Sequence, residues 1–293
     1  MAVATSPLRY PGGKTCLLDT VASILSKNNL ERRHYAEPYA GGCGLALALL
    51  YGGFVSNIHI NDIDKGIWSF WHSILNNTED FLHLMMATSV TMEEWYLQRD
   101  IQVAEDISNP MALGFATFFL NRTNRSGIIA GAGVIGGYGQ TGDYKLDCRF
   151  TKATLAARIR RIKKYADRIH LHNLDALDFL DHIDQQLPIN TFVCIDPPYF
   201  NKGSKLYTSF YKPDDHADLA TRAMSLQRPW IITYDNVEEI KGLYKARRQF
   251  EFHLNYSTAI KRVGTEVMIA SKGLRMPEEL KKQQIHNPQY WAA

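Results

Sequence analysis

Apolar and polar positions along the chain keep changing period. HYAEP, SNIHIND, RIHLHN, TFVCIDPP, PWIITYDN, QFEFHLNYS and TEVMIAS are short runs rich in β-branched, aromatic and other apolar residues. Their length and composition are those of strands. Between them stand CGLALALLYGG, DKGIWSFWHSIL, LDALDFLDHI, DDHADLATRAMSL and VEEIKGLY, whose apolar residues recur at helical spacing. This alternation predicts an α/β fold with a doubly wound, mostly parallel, Rossmann-like sheet of seven strands. The last two runs have no helical stretch between them and predict an antiparallel pair.

The rhythm breaks between Trp68 and Asp147. TMEEWYLQRDIQ and NPMALGFATFFLNR have helical character, and SGIIAGAGVIGGYGQTGDY holds seven glycines. A stretch so rich in glycine cannot be core strand throughout, and predicts a mobile loop or hairpin. The expected organisation is a sheet domain of residues 1–67 and 148–293, with residues 68–147 as an inserted, mainly helical subdomain ending in that loop.

Composition narrows the picture in modest ways. At 293 residues and 45% hydrophobic, the chain suits one large domain or one domain carrying an insertion. A formal charge of +3 permits a nucleic-acid partner without arguing for one. Cys16, Cys43, Cys148 and Cys194 are scattered, which predicts buried, reduced thiols. The ten histidines form no HxxxH or HExxH pattern, so no metal site is expected. The start lacks an apolar signal core, and the longest apolar stretch, MALGFATFFL, is too short to span a bilayer. A cytoplasmic protein without membrane contact is expected.

Three acids fall where strands should end. The first run leads into Glu37-Pro38-Tyr39-Ala40-Gly41-Gly42-Cys43-Gly44, where glycines let backbone approach a ligand. The second ends at Asn61-Asp62, about 20 residues further on, a spacing suited to a carboxylate on ribose hydroxyls. The third is followed by Asn173-Leu174-Asp175, suited to an adenine amino group. In open α/β sheets ligands sit beyond the carboxyl ends of strands. The glycine spacing alone leaves a dinucleotide, another nucleoside and a purely structural turn open. No P-loop is present: Gly12-Gly13-Lys14-Thr15 lacks the upstream glycine and the preceding strand.

Asp196-Pro197-Pro198-Tyr199 carries the chemistry. The lone pair of an exocyclic amino group on a nucleobase is delocalised into the ring, which makes the nitrogen a poor nucleophile. Two acceptors that grip its hydrogens favour a tetrahedral, more nucleophilic nitrogen. The Asp196 carboxylate is one such acceptor. The Pro197 carbonyl, fixed in direction by its ring, is the other. Tyr199 can stack on the base and Phe200 can wall the pocket. The competing explanation is a proline turn capped by an aspartate.

DPPY after FVCI, EPYAGGCG after a strand and PLRYPGGK near the start together resemble the Dam-like, D12 class adenine-N6 DNA methyltransferases. LNRTNRSGI, PDDHADLA and GTEVMIAS match as well, and the resemblance runs from about residue 7 to residue 271. It implies S-adenosylmethionine as methyl donor, double-stranded DNA as partner, and an adenine flipped out of the duplex. It implies donor contacts by Tyr10 and Lys14, a donor loop with Glu37, Tyr39 and Gly41, ribose binding by Asp62, and catalysis by Asp196, which also lies beside the donor methyl group. Asp175 joins the donor site from the strand-end argument. Asn121, Arg122 and Arg125, at the edge of the insertion, are the DNA-binding candidates. The basic run ARIRRIKKYADR reads as a solvated helix face that can also meet phosphates.

Known members carry aromatic residues where this chain has Thr123-Asn124-Arg125. They carry a polar, arginine-bearing hairpin where it has IIAGAGVIGGYGQTGDYK, so a target other than GATC is expected. Competing functions are cytosine-N4 or RNA methylation by the same chemistry, protein-glutamine methylation, which more usually shows NPPY, and a catalytically idle DNA-binding module. No nuclease motif is present, so a restriction endonuclease would be a separate polypeptide.

Overall fold

The computed structural model describes residues 5–9, 13–200, 211–256 and 262–288, with backbone alone for 253–256 and 262–263. All seven expected runs form strands: β1 Arg33–Glu37, β2 Val55–Asn61, β3 Ile169–His172, β4 Phe192–Ile195, β5 Trp230–Asp235, β6 Arg248–Tyr256 and β7 Arg262–Ala270. An eighth, β8 Gln284–His286, completes a single sheet ordered β3-β2-β1-β4-β5-β7-β6-β8. The expected seven strands are thus eight. Three residues, QIH, are too few to show a period, and their pairing with β6 is a tertiary event. Strands β1 to β5 are parallel, and β7 runs antiparallel to both β5 and β6.

The helices α1 Leu18–Lys27, α2 Gly44–Tyr51, α3 Lys65–Asn76, α4 Thr78–Ala87, α5 Met92–Ala104, α6 Pro110–Thr123, α7 Lys152–Lys163 and α8 Ala176–Gln186 are followed by α9 Pro213–Ser225, α10 Glu238–Leu243 and α11 Glu278–Lys281. The pleat sends alternate residues to opposite faces. Tyr35, Ile58 and Ile60 join a core that includes Val21, Leu47 and Trp71 of α1, α2 and α3. Ala36, Val193 and Ile232 join a second core with Phe179, Leu219 and Ile240 of α8, α9 and α10. Helices therefore cover both faces, which is the doubly wound arrangement.

Helices α3 to α6 grow out of the first layer. Asp64 caps α3 by accepting from the Gly66 and Ile67 amides at 2.8 and 3.0 Å. The stripe Ile67, Phe70, Trp71 and Ile74 then buries one face. Position 68 lies inside this continuous helix. Asn109 caps α6, Pro110 occupies its first turn, and every residue from 113 to 123 is buried because α6 packs against α3 and α5. The same apolar cluster continues from Ile58 and Ile60 into Phe81, Phe115, Phe118 and Phe119. Gly114 is where α6 meets α3: a Cβ there would lie 2.5 Å from the Ser69 carbonyl oxygen and 2.7 Å from the Phe70 nitrogen. The stretch after α6 is held by an antiparallel bridge between Asn124 and Val134 and by bonds from Arg125 N to Gly133 O and Ile135 N to Thr123 O. Among the described residues no helix is long and apolar enough to cross a membrane. Cys43 and Cys194 are buried, while Cys16 and Cys148 are exposed, contrary to expectation.

Candidate active site

The carboxyl ends of β1, β2 and β3 are laced together by amide side chains. Asn61 donates to the Pro38 and Leu174 carbonyls, both at 3.0 Å, and accepts from Leu174 N at 2.9 Å. Asn173 donates to the Asp62 carbonyl at 2.7 Å. These bonds fix three strand-end loops against one another. Gly41 has φ +44° and Cys43 φ +53°, which turn the chain from β1 into α2. Gly41 is clamped on both sides of its residue: its amide donates to Asp62 Oδ2 at 2.8 Å and its carbonyl accepts from Trp71 Nε1 at 3.0 Å. Asp62 Oδ1 accepts from Asp64 N at 3.0 Å. Burial, with Asp64 nearby, pushes the Asp62 carboxyl up to about 7.

Asp175 is exposed and caps α8 through Leu177 N at 2.8 Å. Ile63 and Leu174, next to Asp62 and Asp175 in sequence, are among the exposed large apolar residues. The residue types at these strand ends, carboxylates that can accept ribose hydroxyls and exposed apolar side chains that can take an adenine ring, fit the nucleoside part of S-adenosylmethionine.

A second set of groups converges at the end of β4. Lys14 opens the 3-10 turn Lys14–Leu17 and is buried. Its Nζ lies 3.1 Å from Asp196 Oδ1, 3.0 Å from Glu266 Oε2 and 3.1 Å from the Tyr199 hydroxyl. The Tyr199 hydroxyl donates to Glu266 Oε1. Thr233 Oγ1 donates to Asp196 Oδ1 at 2.8 Å. Asp196 keeps 26% of its side chain exposed, against 5% for Lys14 and 2% for Glu266, so one side of its carboxyl stays open. Burial pushes Asp196 up, Lys14 opposes this, and the balance stands at about 6. Burial alone would lower Lys14, but Asp196 and Glu266 outweigh it and raise it. Glu37 is buried and accepts from the Tyr35 hydroxyl at 2.8 Å. Burial first, and then the charge of Asp196, pushes Glu37 up to about 8, despite the tyrosine bond.

The wall beside this acid is aromatic. Pro197, Pro198 and Tyr199 are buried, and Phe200 N donates to Asp235 Oδ1 at 2.9 Å. The hydroxyls of Tyr39 and Tyr211 meet at 2.7 Å. His216 bonds the Tyr234 hydroxyl through Nδ1 at 2.9 Å and packs against Phe200 and Tyr211.

Of the candidates from sequence, Lys14, Asp196 and Tyr199 meet directly, and Gly41 and Asp62 meet directly. Glu37 lies close enough to Asp196 for their charges to interact. Tyr39 lines the aromatic wall and Asp175 stands at the β3 end. Tyr10 lies outside the described residues. Asn121 is buried, accepts from Arg9 N and donates to Arg9 O, both at 2.7 Å, and donates to Gly127 O at 2.8 Å. Arg122 is also buried, donates to Arg149 O at 2.7 Å, and burial lowers it to about 10. These two side chains tie the N-terminal segment and residue 149 to α6. Arg125 is exposed, at the lip of a cleft lined by Ile135, Gly136, Gly137, Asp143 and Tyr144. In the basic run, Arg158 donates to Ser6 O at 3.1 Å and Arg161 lies over the Tyr51 ring at 4.0 Å.

Sequence reasoning missed Asn61, Thr233 and Glu266. For Glu266 a signal existed: it is the one charged residue in the run TEVMIAS, which otherwise reads as buried strand. Among the described residues no group of three or more His, Cys, Asp or Glu is placed to hold a metal ion. The sequence model of one family, D12 class N6 adenine-specific DNA methyltransferase, matches residues 10–260. No curated protein matches the chain.

Proposed function

Since the chain belongs to the D12 class N6 adenine-specific DNA methyltransferase family, we propose that it transfers the methyl group of S-adenosylmethionine to the N6 of an adenine flipped out of duplex DNA. The observation that carries this reading is the Asp196 carboxyl, held by Lys14 at 3.1 Å and Thr233 at 2.8 Å, with an open side at the end of β4.

Bound S-adenosylmethionine supplies an electrophilic methyl carbon on a cationic sulfur. The chain's own residues do the rest. Asp62, already aligned by two backbone amides, accepts from ribose hydroxyls. Asp175, Ile63 and Leu174 receive the adenine of the donor. Glu37, Tyr39 and Gly41 border its methionine part, and Tyr10 and Lys14 contact it from the N-terminal segment. Asp196 Oδ and the Pro197 carbonyl accept the two N6 hydrogens of the target adenine, which localises the nitrogen lone pair. Tyr199 stacks on the base. A carboxyl at about 6 is ionised at neutral pH and can take up the proton that leaves N6 as the new bond forms.

Residues 68–147 serve as the DNA-recognition insertion. Arg125 is the candidate that faces outward to phosphates or to the vacated space, whereas Asn121 and Arg122 support DNA binding by holding the loop behind it. A companion endonuclease on a separate chain would make this the protective half of a restriction–modification pair.

The test incubates the protein with methyl-labelled S-adenosylmethionine and unmodified duplex DNA and identifies the labelled nucleoside after digestion. Label in N6-methyladenine is expected. Label in N4-methylcytosine overturns the base assignment, and label only in RNA or protein overturns the substrate. Asp196→Ala should abolish turnover and leave DNA binding intact. A wild-type protein that binds DNA and never turns over would be the idle module.

A further inference from the structure

Glu266 is 1% exposed, and Val267, Met268 and Ile269, which follow it in the strand, are all at 0%. A carboxylate buried in such surroundings is costly unless it is paired. Its partners include the Lys14 ammonium at 3.0 Å on Oε2 and the Tyr199 hydroxyl on Oε1. Both belong to the site described above, and they come from chain positions 252 and 67 residues away.

Resting on the methyltransferase reading, we propose that Glu266 is a positioning residue for the reaction: it holds the Lys14 ammonium against Asp196 and the Tyr199 ring against the target base from a single carboxylate. The architecture supports this. In the sheet, Glu266 pairs with Asp235 of β5, and Thr233, two residues before Asp235, bonds Asp196 directly. The catalytic acid is therefore gripped from β5 by Thr233 and from β7 through Lys14. The Tyr199 hydroxyl is held by a charge-assisted bond, which fixes the ring plane that must meet a base.

Among the described residues, the charged and titratable groups around Asp196 are Lys14 and Cys16 on the N-terminal turn, Glu37 on β1, Cys194 on β4, Tyr234 on β5, Glu266 on β7 and Tyr199 beside it. Lys14 is the cation among them, and it is shared between Asp196 at 3.1 Å and Glu266 at 3.0 Å. Removing the Glu266 charge leaves Asp196 as the carboxylate paired with Lys14 and removes a repulsion, so Asp196 stays ionised to lower pH. Removing Lys14 does the opposite.

The test measures kcat/KM for DNA across pH 5 to 8 for wild type, Glu266→Gln and Lys14→Met. An acid limb set near 6 costs the wild type about tenfold between its plateau and pH 5. In Glu266→Gln the limb should move to lower pH, with a loss on the order of threefold over the same interval. In Lys14→Met it should move to higher pH. KM for DNA should rise in Glu266→Gln, because the Tyr199 hydroxyl has lost the carboxylate that accepts from it.

A carboxylate serving only the fold would depress activity equally at every pH, and an unmoved limb with unchanged KM overturns the proposal. Should Glu266→Gln fail to fold, Glu266→Asp keeps the charge but shortens the reach. It should leave the limb in place and raise KM, and an unchanged KM in that variant overturns the anchoring of Tyr199. Failure of the underlying reading looks different, since wild-type protein would then form no N6-methyladenine.

Discussion

Five of the ten histidines gather on one face of the sheet at its β1–β2–β3 edge. His34 Nδ1 and His59 Nε2 share a hydrogen bond of 2.9 Å, and the two rings stack at 5.1 Å. His59 stacks on His170 at 4.5 Å, and His172 packs against His182 at 4.9 Å. The Nδ1 of His59 and the Nε2 of His172 are buried without a partner. Such a ladder is stable only uncharged. Burial, then the neighbouring histidines, lowers His59 to about 3, and burial followed by His182 and His170 lowers His172 to about 4. The unfolded chain therefore takes up protons that the folded one refuses once pH falls below about 6.5. Stability from the ladder is present above that value and is lost progressively toward pH 3. Each refused proton costs about 1.4 kcal/mol per pH unit, so lowering pH from 7 to 5 removes about 2 kcal/mol through His59 alone. That is a large share of a typical folding free energy of about 5–15 kcal/mol. Glu37, Asp62 and Asp196, all shifted upward, act in the opposite sense, because the folded chain binds their protons more readily. The informative quantity is thus the difference between wild type and His59→Gln. Urea unfolding followed by circular dichroism at pH 7 and pH 5 should show wild type losing about 2 kcal/mol more than the variant. Equal losses in the two proteins would refute the reasoning.

Other expectations follow from single contacts. Gly114→Ala places a Cβ against the α3 backbone, where no rotamer can relieve the clash, and should lower stability by about 1–3 kcal/mol in thermal or urea unfolding. Asn61→Leu keeps the branching of the side chain but removes three hydrogen bonds between strand ends. It should weaken S-adenosylmethionine binding in calorimetry by about tenfold or more while DNA affinity stays near wild type. Arg125→Ala should weaken DNA binding and lower its salt dependence by about one counter-ion if it meets a phosphate, whereas unequal losses across DNA sequences would identify it as a base reader.

The elements that were legible in sequence share a physical reason. Strands β1, β2, β4 and β5 are largely buried, so their runs are apolar enough to stand out from the helical stretches beside them. Acids at the ends of β1, β2 and β4 stood out because each follows such a run directly. The short β8 had no comparable signal, since its three residues gain their place only by pairing with an edge already formed by β6. Asn121 and Arg122 show a different limit. Their side-chain chemistry suits nucleic acid, but the same donors and acceptors serve buried backbone groups, and which partner they find depends on how residues 7–9 return to α6.

The active-site network makes the same point more sharply. Lys14 could be singled out by its motif, and Asp196 by its place after β4, yet neither motif says that they touch. Contact requires β4 to lie between β1 and β5, with the N-terminal turn folded over that junction. Glu266 is further from view, because antiparallel β7 must insert between β5 and β6 before its side chain reaches Lys14 from across the sheet. A buried ammonium needs its charge balanced wherever the chain can supply it. Here two carboxylates supply it, Asp196 just after β4 and Glu266 on β7, and they differ in exposure, 26% against 2%.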